Sequence, residues 1–185
     1  DFKGSKNPLY LKILLAELRV FGSFDQLKEE IQKFGDSPLS AFNHVFERLE
    51  HDEVTRGEKT KIVKPLFSLL ASSRVGGLSE DEIVTIIKDK YGLDEDDVRA
   101  GVILNLRQVR PFMARKEAGR HDFFYEQFRE AAENRYGEMK KDSIELLKNY
   151  FKKEADPSDD FTFTGNNPRA FIELPYYLNK FGDKD

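Results

Sequence analysis

The sequence predicts a mainly α-helical protein, in which a helical bundle is joined to a winged helix-turn-helix with a short β-hairpin wing. Apolar residues recur at helical spacing through most of the 185 residues. Two short apolar segments flank a polar turn near the middle of the chain, and helix caps and glycines separate the helical segments. These signals predict three domains: a helical domain (1–57), a winged helix (58–137) and a helical extension (138–185).

The first domain begins with a capped helix. Asn7 can cap free amide groups and Pro8 suits the first helical position, so a helix is predicted from there to Phe21. Its apolar residues cover most of the circumference, which predicts a helix sandwiched between neighbours. Two amphipathic helices follow, at 24–34 and 39–51.

The winged helix opens with an apolar helix at 62–73. Pro65 lacks an amide hydrogen and is tolerated in a first turn, so a start near Lys64 is preferred. Ser79, with a glutamate three residues later, forms a capping box that predicts a helix through Tyr91.

A third helix and a hairpin complete this domain. Asp94 is a good cap for a helix at 97–109. Segments 112–115 and 121–124 are predicted strands, joined by the glycine-containing polar turn 116–120. Helices at these spacings followed by a two-stranded hairpin indicate a winged helix.

The extension continues in helices. They are predicted at 126–136, at 142–154 and, after a polar loop at 156–167, from Pro168 to Leu178. Pro175 is expected to interrupt the last helix. The sequence is expected to be a piece of a longer chain that continues at both ends.

Composition excludes several classes of function. With no cysteine, the chain has no disulfides, thiolate metal sites or cysteine nucleophile. Its 30 basic and 34 acidic residues give a net charge of -4, which argues against nucleic acid as the main partner. No signal peptide or long apolar segment is present, so a cytoplasmic protein with no membrane partner is expected.

No metal site is predicted. His44, His51 and His121 lack the paired spacing on one helix face that a zinc site needs. The acidic runs at 80–82 and 94–97 could attract a cation, but carboxylates are expected at helix starts, where they face the positive end of the helix dipole.

Four stretches together carry a resemblance to a known family. They are Asn7–Lys12 with Glu17–Gly22, Phe67–Arg74 leading into Gly77–Glu82, Arg110–Met113 through Phe123–Glu130, and Glu173–Leu178. In this order and spacing they resemble the helical and winged-helix region that follows the nucleotide-binding domain in STAND-type NTPases of the NACHT kind. The resemblance covers nearly the whole chain.

The resemblance implies a regulatory arm without catalytic groups of its own. It places Pro8 against a bound nucleotide, although local sequence also explains Pro8 as an ordinary first-turn proline. Tyr125 stands where many members carry a phosphate-contacting histidine; a tyrosine donates one hydrogen bond but brings no positive charge. No G-x-x-x-x-G-K-[ST] pattern is present, so no cofactor is expected in this chain. ATP or ADP would bind the parent protein, and the partners would be its nucleotide-binding domain and downstream repeats.

The alternative hypothesis is a DNA-binding winged-helix regulator. Against it, carboxylates at 94–97 occupy the start of the predicted recognition helix, and its middle, 101–104, is apolar and suits protein contact. An enzyme is a third class, but no set of catalytic groups has a recognisable spacing. Basic residues that could contact nucleic acid or another domain lie on this helix and the wing: Arg99, Arg107, Arg110, Arg115, Lys116 and Arg120.

Overall fold

The computed structural model confirms a mainly helical fold with a two-stranded antiparallel hairpin. The described part of the chain contains eight α-helices. Most of the predicted helix 24–34 lies outside the described residues, as does the predicted end of the first helix at Phe21. The structure describes residues 3–19, 31, 33–57, 61–74 and 76–181.

Two helices lie in the described residues of the first predicted domain. Helix α1 (Pro8–Leu18) begins as predicted, because the Asn7 side chain accepts hydrogen bonds from the two amides after Pro8. Helix α2 (Pro38–Thr55) is capped by Ser37 and extends beyond both predicted ends.

The prediction that α1 is sandwiched between neighbours is wrong. Its buried residues are Tyr10, Ile13 and Glu17, on the face that packs against α2. Leu11 and Leu15 remain 39% and 59% exposed. Periodicity counts apolar residues on a helix but cannot tell which side has a neighbour, so it overestimated the burial.

Three helices and a hairpin form the winged-helix segment. They are α3 (Val63–Ser72), α4 (Glu80–Tyr91), α5 (Glu95–Gln108), β1 (Met113–Arg115) and β2 (His121–Phe123). The boundaries agree with the predicted elements to within two residues, because most of them are set by local caps.

Two of those caps and a proline behave as predicted. Pro65 lies in the first turn of α3. The Ser79 side chain accepts from the Glu82 amide while Glu82 reaches back to the Ser79 amide, which completes the capping box. Asp94 caps α5 by accepting two amide hydrogen bonds.

The hairpin is extended by a third chain segment. Arg115 pairs with His121 in the antiparallel ladder, and His121 forms a second bridge on its other side to Leu78. Gly77 precedes that bridge with a φ of +67°, and a Cβ at this position would lie 1.8 Å from the carbonyl oxygen of His121. The chain therefore needs a glycine here.

The final segment consists of α6 (Glu126–Arg135), α7 (Lys140–Ala155) and α8 (Pro168–Phe181). The prediction that Pro175 interrupts the last helix is wrong, since α8 continues through it. A proline removes one backbone hydrogen bond, and the packing of α8 along α7 outweighs that local cost.

A phenylalanine on α6 lies at the centre of the core. The Phe128 ring is 4.7 to 6.2 Å, between ring centroids, from the rings of Phe42, Phe46, Phe67, Phe112 and Phe123. These rings come from α2, α3 and the hairpin region. The buried cluster also includes residues of all three predicted domains, although their boundaries remain predictions from sequence.

Charged side chains join the same segments. Arg135 and the Tyr136 hydroxyl donate to Glu50 on α2, at 2.9 and 2.8 Å. Partial burial acts to raise the pKa of Glu50, but these hydrogen bonds outweigh it and hold that pKa below its ordinary value. On the other side, Arg169 of α8 donates to the capping carboxylate of Glu82 at 2.6 Å.

Candidate functional site

The candidate site begins at the exposed start of α1. Pro8 occupies the first position of the helix and is exposed. Lys12 lies one turn later, so the two residues share a helix face. The start of α1 therefore presents both side chains outward.

Tyr125 comes from a distant part of the chain and meets this helix. It lies between β2 and α6 and is half-buried. The Lys12 ammonium donates a hydrogen bond to the Tyr125 hydroxyl at 2.7 Å and lies 5.2 Å from the ring centroid. The structure thus brings Tyr125 to the helix face that carries Pro8, with Lys12 between them.

Exposed apolar side chains lie on both of the segments that form this contact. Leu11 and Leu15 on α1 are exposed, and Phe124, whose ring lies 4.8 Å from that of Tyr125, is 64% exposed. Exposed apolar side chains on both of the segments that meet at Lys12 and Tyr125 favour a contact site. We call this surface the Lys12–Tyr125 face; it comprises Pro8, Leu11, Lys12, Leu15, Phe124 and Tyr125.

Lys12 was not singled out from sequence. The available signal was its spacing, four residues after Pro8, which places the two side chains on one face of a helix. Its contact with Tyr125 had no sequence signal, because 113 residues separate the two partners.

A buried arginine ties α1 to the rest of the molecule. Arg48 on α2 donates from Nε and Nη2 to both carboxylate oxygens of Glu17, at 2.5 and 3.0 Å. The same guanidinium donates to Asp52 at 3.1 Å and to Gln108, at the end of α5, at 2.6 Å. One side chain therefore links α1, α2 and α5.

This linkage keeps its charge despite burial. Burial opposes charge on the Arg48 guanidinium, but the hydrogen bond with Glu17 and its negative charge outweigh burial and raise the pKa of Arg48. Arg48 and Glu17 are 7% and 1% exposed. Paired, hydrogen-bonded charges at this depth hold a fixed geometry, because losing either partner leaves the other unsatisfied.

The structure divides the predicted basic residues into three sets. Arg99 is already paired, donating to Asp81 at 2.6 Å and to Glu95 at 3.1 Å. Lys116 lies exposed at the hairpin turn, and Arg120 donates to the Glu117 carbonyl at 3.0 Å. The remaining set, Arg107, Arg110 and Arg115, lines one cleft between α5 and the hairpin.

This cleft, which we call the arginine cleft, has a volume of about 470 Å³. Beside the three arginines its lining contains Glu80 and His121, which contact each other at 3.1 Å. The rest of the lining is apolar: Ile103, Leu106 and Met113.

The other polar residues noted in the sequence have structural partners. His44 packs edge-on against Phe34, with ring centroids 4.3 Å apart. The acidic run at 80–82 supplies a capping box and three ion pairs, and the run at 94–97 supplies a cap and two ion pairs. Within the described ranges, no group of three histidine, aspartate or glutamate side chains is placed to hold a metal.

Comparisons with protein-family models, with curated proteins and with solved structures give no match. Among the helices that the structure describes, none combines the length and the apolar character needed to cross a membrane.

Proposed function

We propose that this chain is the non-catalytic regulatory arm of a STAND- or NACHT-type signalling ATPase, which packs on the nucleotide-binding domain and controls its switch. A cytoplasmic location belongs to the same proposal. The observation that carries it is the contact between Lys12 and Tyr125, which gathers both predicted nucleotide-contacting residues, Pro8 and Tyr125, onto one exposed face.

Lys12 supplies the charge that a tyrosine lacks. An ammonium group has three donors, and the bond to Tyr125 uses one of them. The other donors, together with the Tyr125 hydroxyl hydrogen, are available to phosphate oxygens of a nucleotide on an opposing domain. The pair can therefore do what a phosphate-contacting histidine would do in other members of the proposed family.

The surroundings of the pair suit a protein partner. Contact with a domain would bury the exposed apolar surface of Leu11, Leu15 and Phe124. Burial of apolar surface contributes roughly 25 cal/mol of favourable free energy for each Å². One surface would thus contact both the nucleotide and the domain that binds it, as expected of an arm that covers a nucleotide.

Arg48 provides a route from this surface into the winged helix. A shift of α1 would disturb the bonds between Glu17 and Arg48, and the same guanidinium holds Gln108 at the end of α5. A movement of α1 at the Lys12–Tyr125 face would thus be transmitted to α5 of the winged helix, because breaking the Arg48 contacts would leave a buried charge without its partner.

The opposite end of the chain fits an onward connection. On α8, Phe171, Ile172 and Leu178 are exposed although the helix buries its other face against α7. In the proposal this outer face of α8 contacts the first of the downstream repeats.

DNA binding is the second candidate function. The convergence of Arg107, Arg110 and Arg115 on one cleft favours it, since basic groups on a recognition helix and wing suit phosphate contact. Against it, Asp94 caps α5 and the first turn adds three exposed carboxylates, so negative charge lies at the end expected to approach the duplex.

The test measures nucleotide affinity in the longest natural form of the protein. Binding of a fluorescent ADP analogue is compared between wild type, Lys12→Ala and Tyr125→Phe. Loss of the ammonium is expected to weaken binding at least about tenfold, and loss of one hydroxyl about fivefold, in line with charge-assisted and neutral hydrogen bonds.

Lys90→Ala serves as the matched control, because Lys90 is an exposed lysine on α4, outside the Lys12–Tyr125 face. It should leave ADP affinity unchanged. Equal affinities for wild type and both face variants would contradict the proposal, as would a longest form that binds no nucleotide.

A further inference from the structure

We propose that the arginine cleft is a docking site for an acidic segment of a partner protein, in which carboxylates flank an apolar side chain. This site is separate from the Lys12–Tyr125 face, and its occupant needs no nucleotide. The cleft offers unpaired arginines, an apolar floor and room for a few side chains.

The positive charge of the cleft is only partly offset by the chain itself, since Glu80 in the lining is bonded to His121. Arg107, Arg110 and Arg115 are exposed, and within the described chain none of them lies within ion-pair distance of a carboxylate. Arg99, on the same helix, is by contrast held by two carboxylates. The three cleft arginines are thus free to form paired hydrogen bonds with carboxylates of a ligand.

The floor of the cleft suits an apolar side chain. Leu106 is buried, while Ile103 and Met113 are half-buried, so their outward surfaces remain in contact with solvent. A flexible methionine beside branched aliphatic residues adapts to ligands of varied shape. Arginines at the rim and aliphatic groups at the base resemble the charged rim and apolar centre of a protein interface.

A peptide fits better than a duplex. A cleft of about 470 Å³ holds a few side chains, in the range of small-ligand sites. A duplex would extend past the cleft, toward the exposed carboxylates of Glu95, Asp96 and Asp97 at the start of α5 and Glu117 on the turn. A short peptide contacts the arginines without reaching those groups, and Glu80 in the lining is already bonded to His121.

The test uses a phage-displayed library of random dodecapeptides selected on the chain itself. Wild type is expected to enrich peptides with at least two acidic residues flanking leucine, isoleucine, methionine or phenylalanine. The variant Arg110→Gln/Arg115→Gln should bind the selected peptides at least about tenfold more weakly. These arginines are exposed, so the variant should fold as wild type does, and an unchanged unfolding midpoint would verify this. The single variant Arg107→Gln provides a second measurement of the loss in peptide affinity.

The control Lys140→Gln/Lys141→Gln removes the same charge from the start of α7 and should bind those peptides as wild type does. Failure to enrich acidic peptides would overturn the proposal. So would enriched peptides that bind the arginine variant as tightly as wild type, or salt-sensitive binding of fluorescein-labelled duplex DNA that is tighter than peptide binding and lost in that variant. None of these outcomes depends on nucleotide, so failure here leaves the switch proposal testable.

Discussion

Replacing Arg48 with methionine removes the cation that links α1, α2 and α5. Glu17, which accepts two hydrogen bonds from Arg48 and is 1% exposed, would keep a buried carboxylate without its partner. Breaking a buried pair in this way costs about 3 to 5 kcal/mol of unfolding free energy. For a chain of this size, that loss lowers Tm by about 10 °C.

Two further variants separate the ion pair from general packing. Glu17→Leu should cost less than Arg48→Met, about 2 kcal/mol, because Asp52 and Gln108 still hold the guanidinium. The double variant should be more stable than Arg48→Met alone, since it removes the isolated carboxylate and fills the space with apolar groups.

Urea unfolding followed by circular dichroism measures these differences, with a constant slope confirming that the same unfolding transition is compared. Arg99→Met is the control, because the pairs of Arg99 are exposed to solvent and its removal should not shift the midpoint resolvably. A stabilising role for the buried ion pair is refuted if Arg48→Met costs less than about 1 kcal/mol, or if the double variant is less stable than Arg48→Met.

Three other changes test the fold around the two surfaces. Gly77→Ala should lower Tm more than Gly57→Ala, since both have positive φ but only the Cβ at position 77 meets a backbone carbonyl. The pKa of Glu50 is lower in the folded protein than in the unfolded chain, so its carboxylate stabilises the fold above the unfolded-state pKa, and this stabilisation is lost as pH falls through the folded-state pKa. Urea titrations should therefore show that Glu50→Gln lowers the free energy of unfolding more at pH 7 than at pH 3. Arg169→Met should speed amide hydrogen exchange in α8, and unchanged exchange would show that its bond to Glu82 does not anchor that helix.

Helix boundaries were predictable where the signal is local. The capping box at Ser79, the Asp94 cap and the left-handed Gly92 at the end of α4 each depend on residues within one turn of the boundary. Sequence therefore located the winged-helix elements to within two residues. Pro175 shows the limit of local rules, because tertiary packing on α7 maintains a helix that the proline alone would interrupt.

The candidate site was only partly predictable. Pro8 and Tyr125 entered through a resemblance, and the structure places them on one face, but the residue that joins them, Lys12, contacts a partner 113 positions away. Arg48 likewise reaches Glu17 and Gln108 across 31 and 60 positions. Side-chain contacts at such separations depend on helix packing and leave no periodic pattern in a single sequence.

The exposure of two leucines on α1 was predicted wrongly from sequence. Leu11 and Leu15 carry the periodicity of buried residues, and the helix was expected to be covered on most sides. The structure leaves both exposed, on the helix whose Lys12 bonds to Tyr125. An apolar pattern predicts that a helix face is covered, but it does not indicate whether the covering surface belongs to the same domain or to a partner.

Amide hydrogen exchange of the longest natural form of the protein, with and without ADP, would reveal whether nucleotide brings α1 against another domain. If the Lys12–Tyr125 face closes over a nucleotide-binding domain, ADP should slow exchange in α1 and around Tyr125 while leaving the exposed turn at Lys116 unchanged. Exchange in α1 and around Tyr125 that is the same with saturating ADP as without it would contradict closure of this face over a nucleotide.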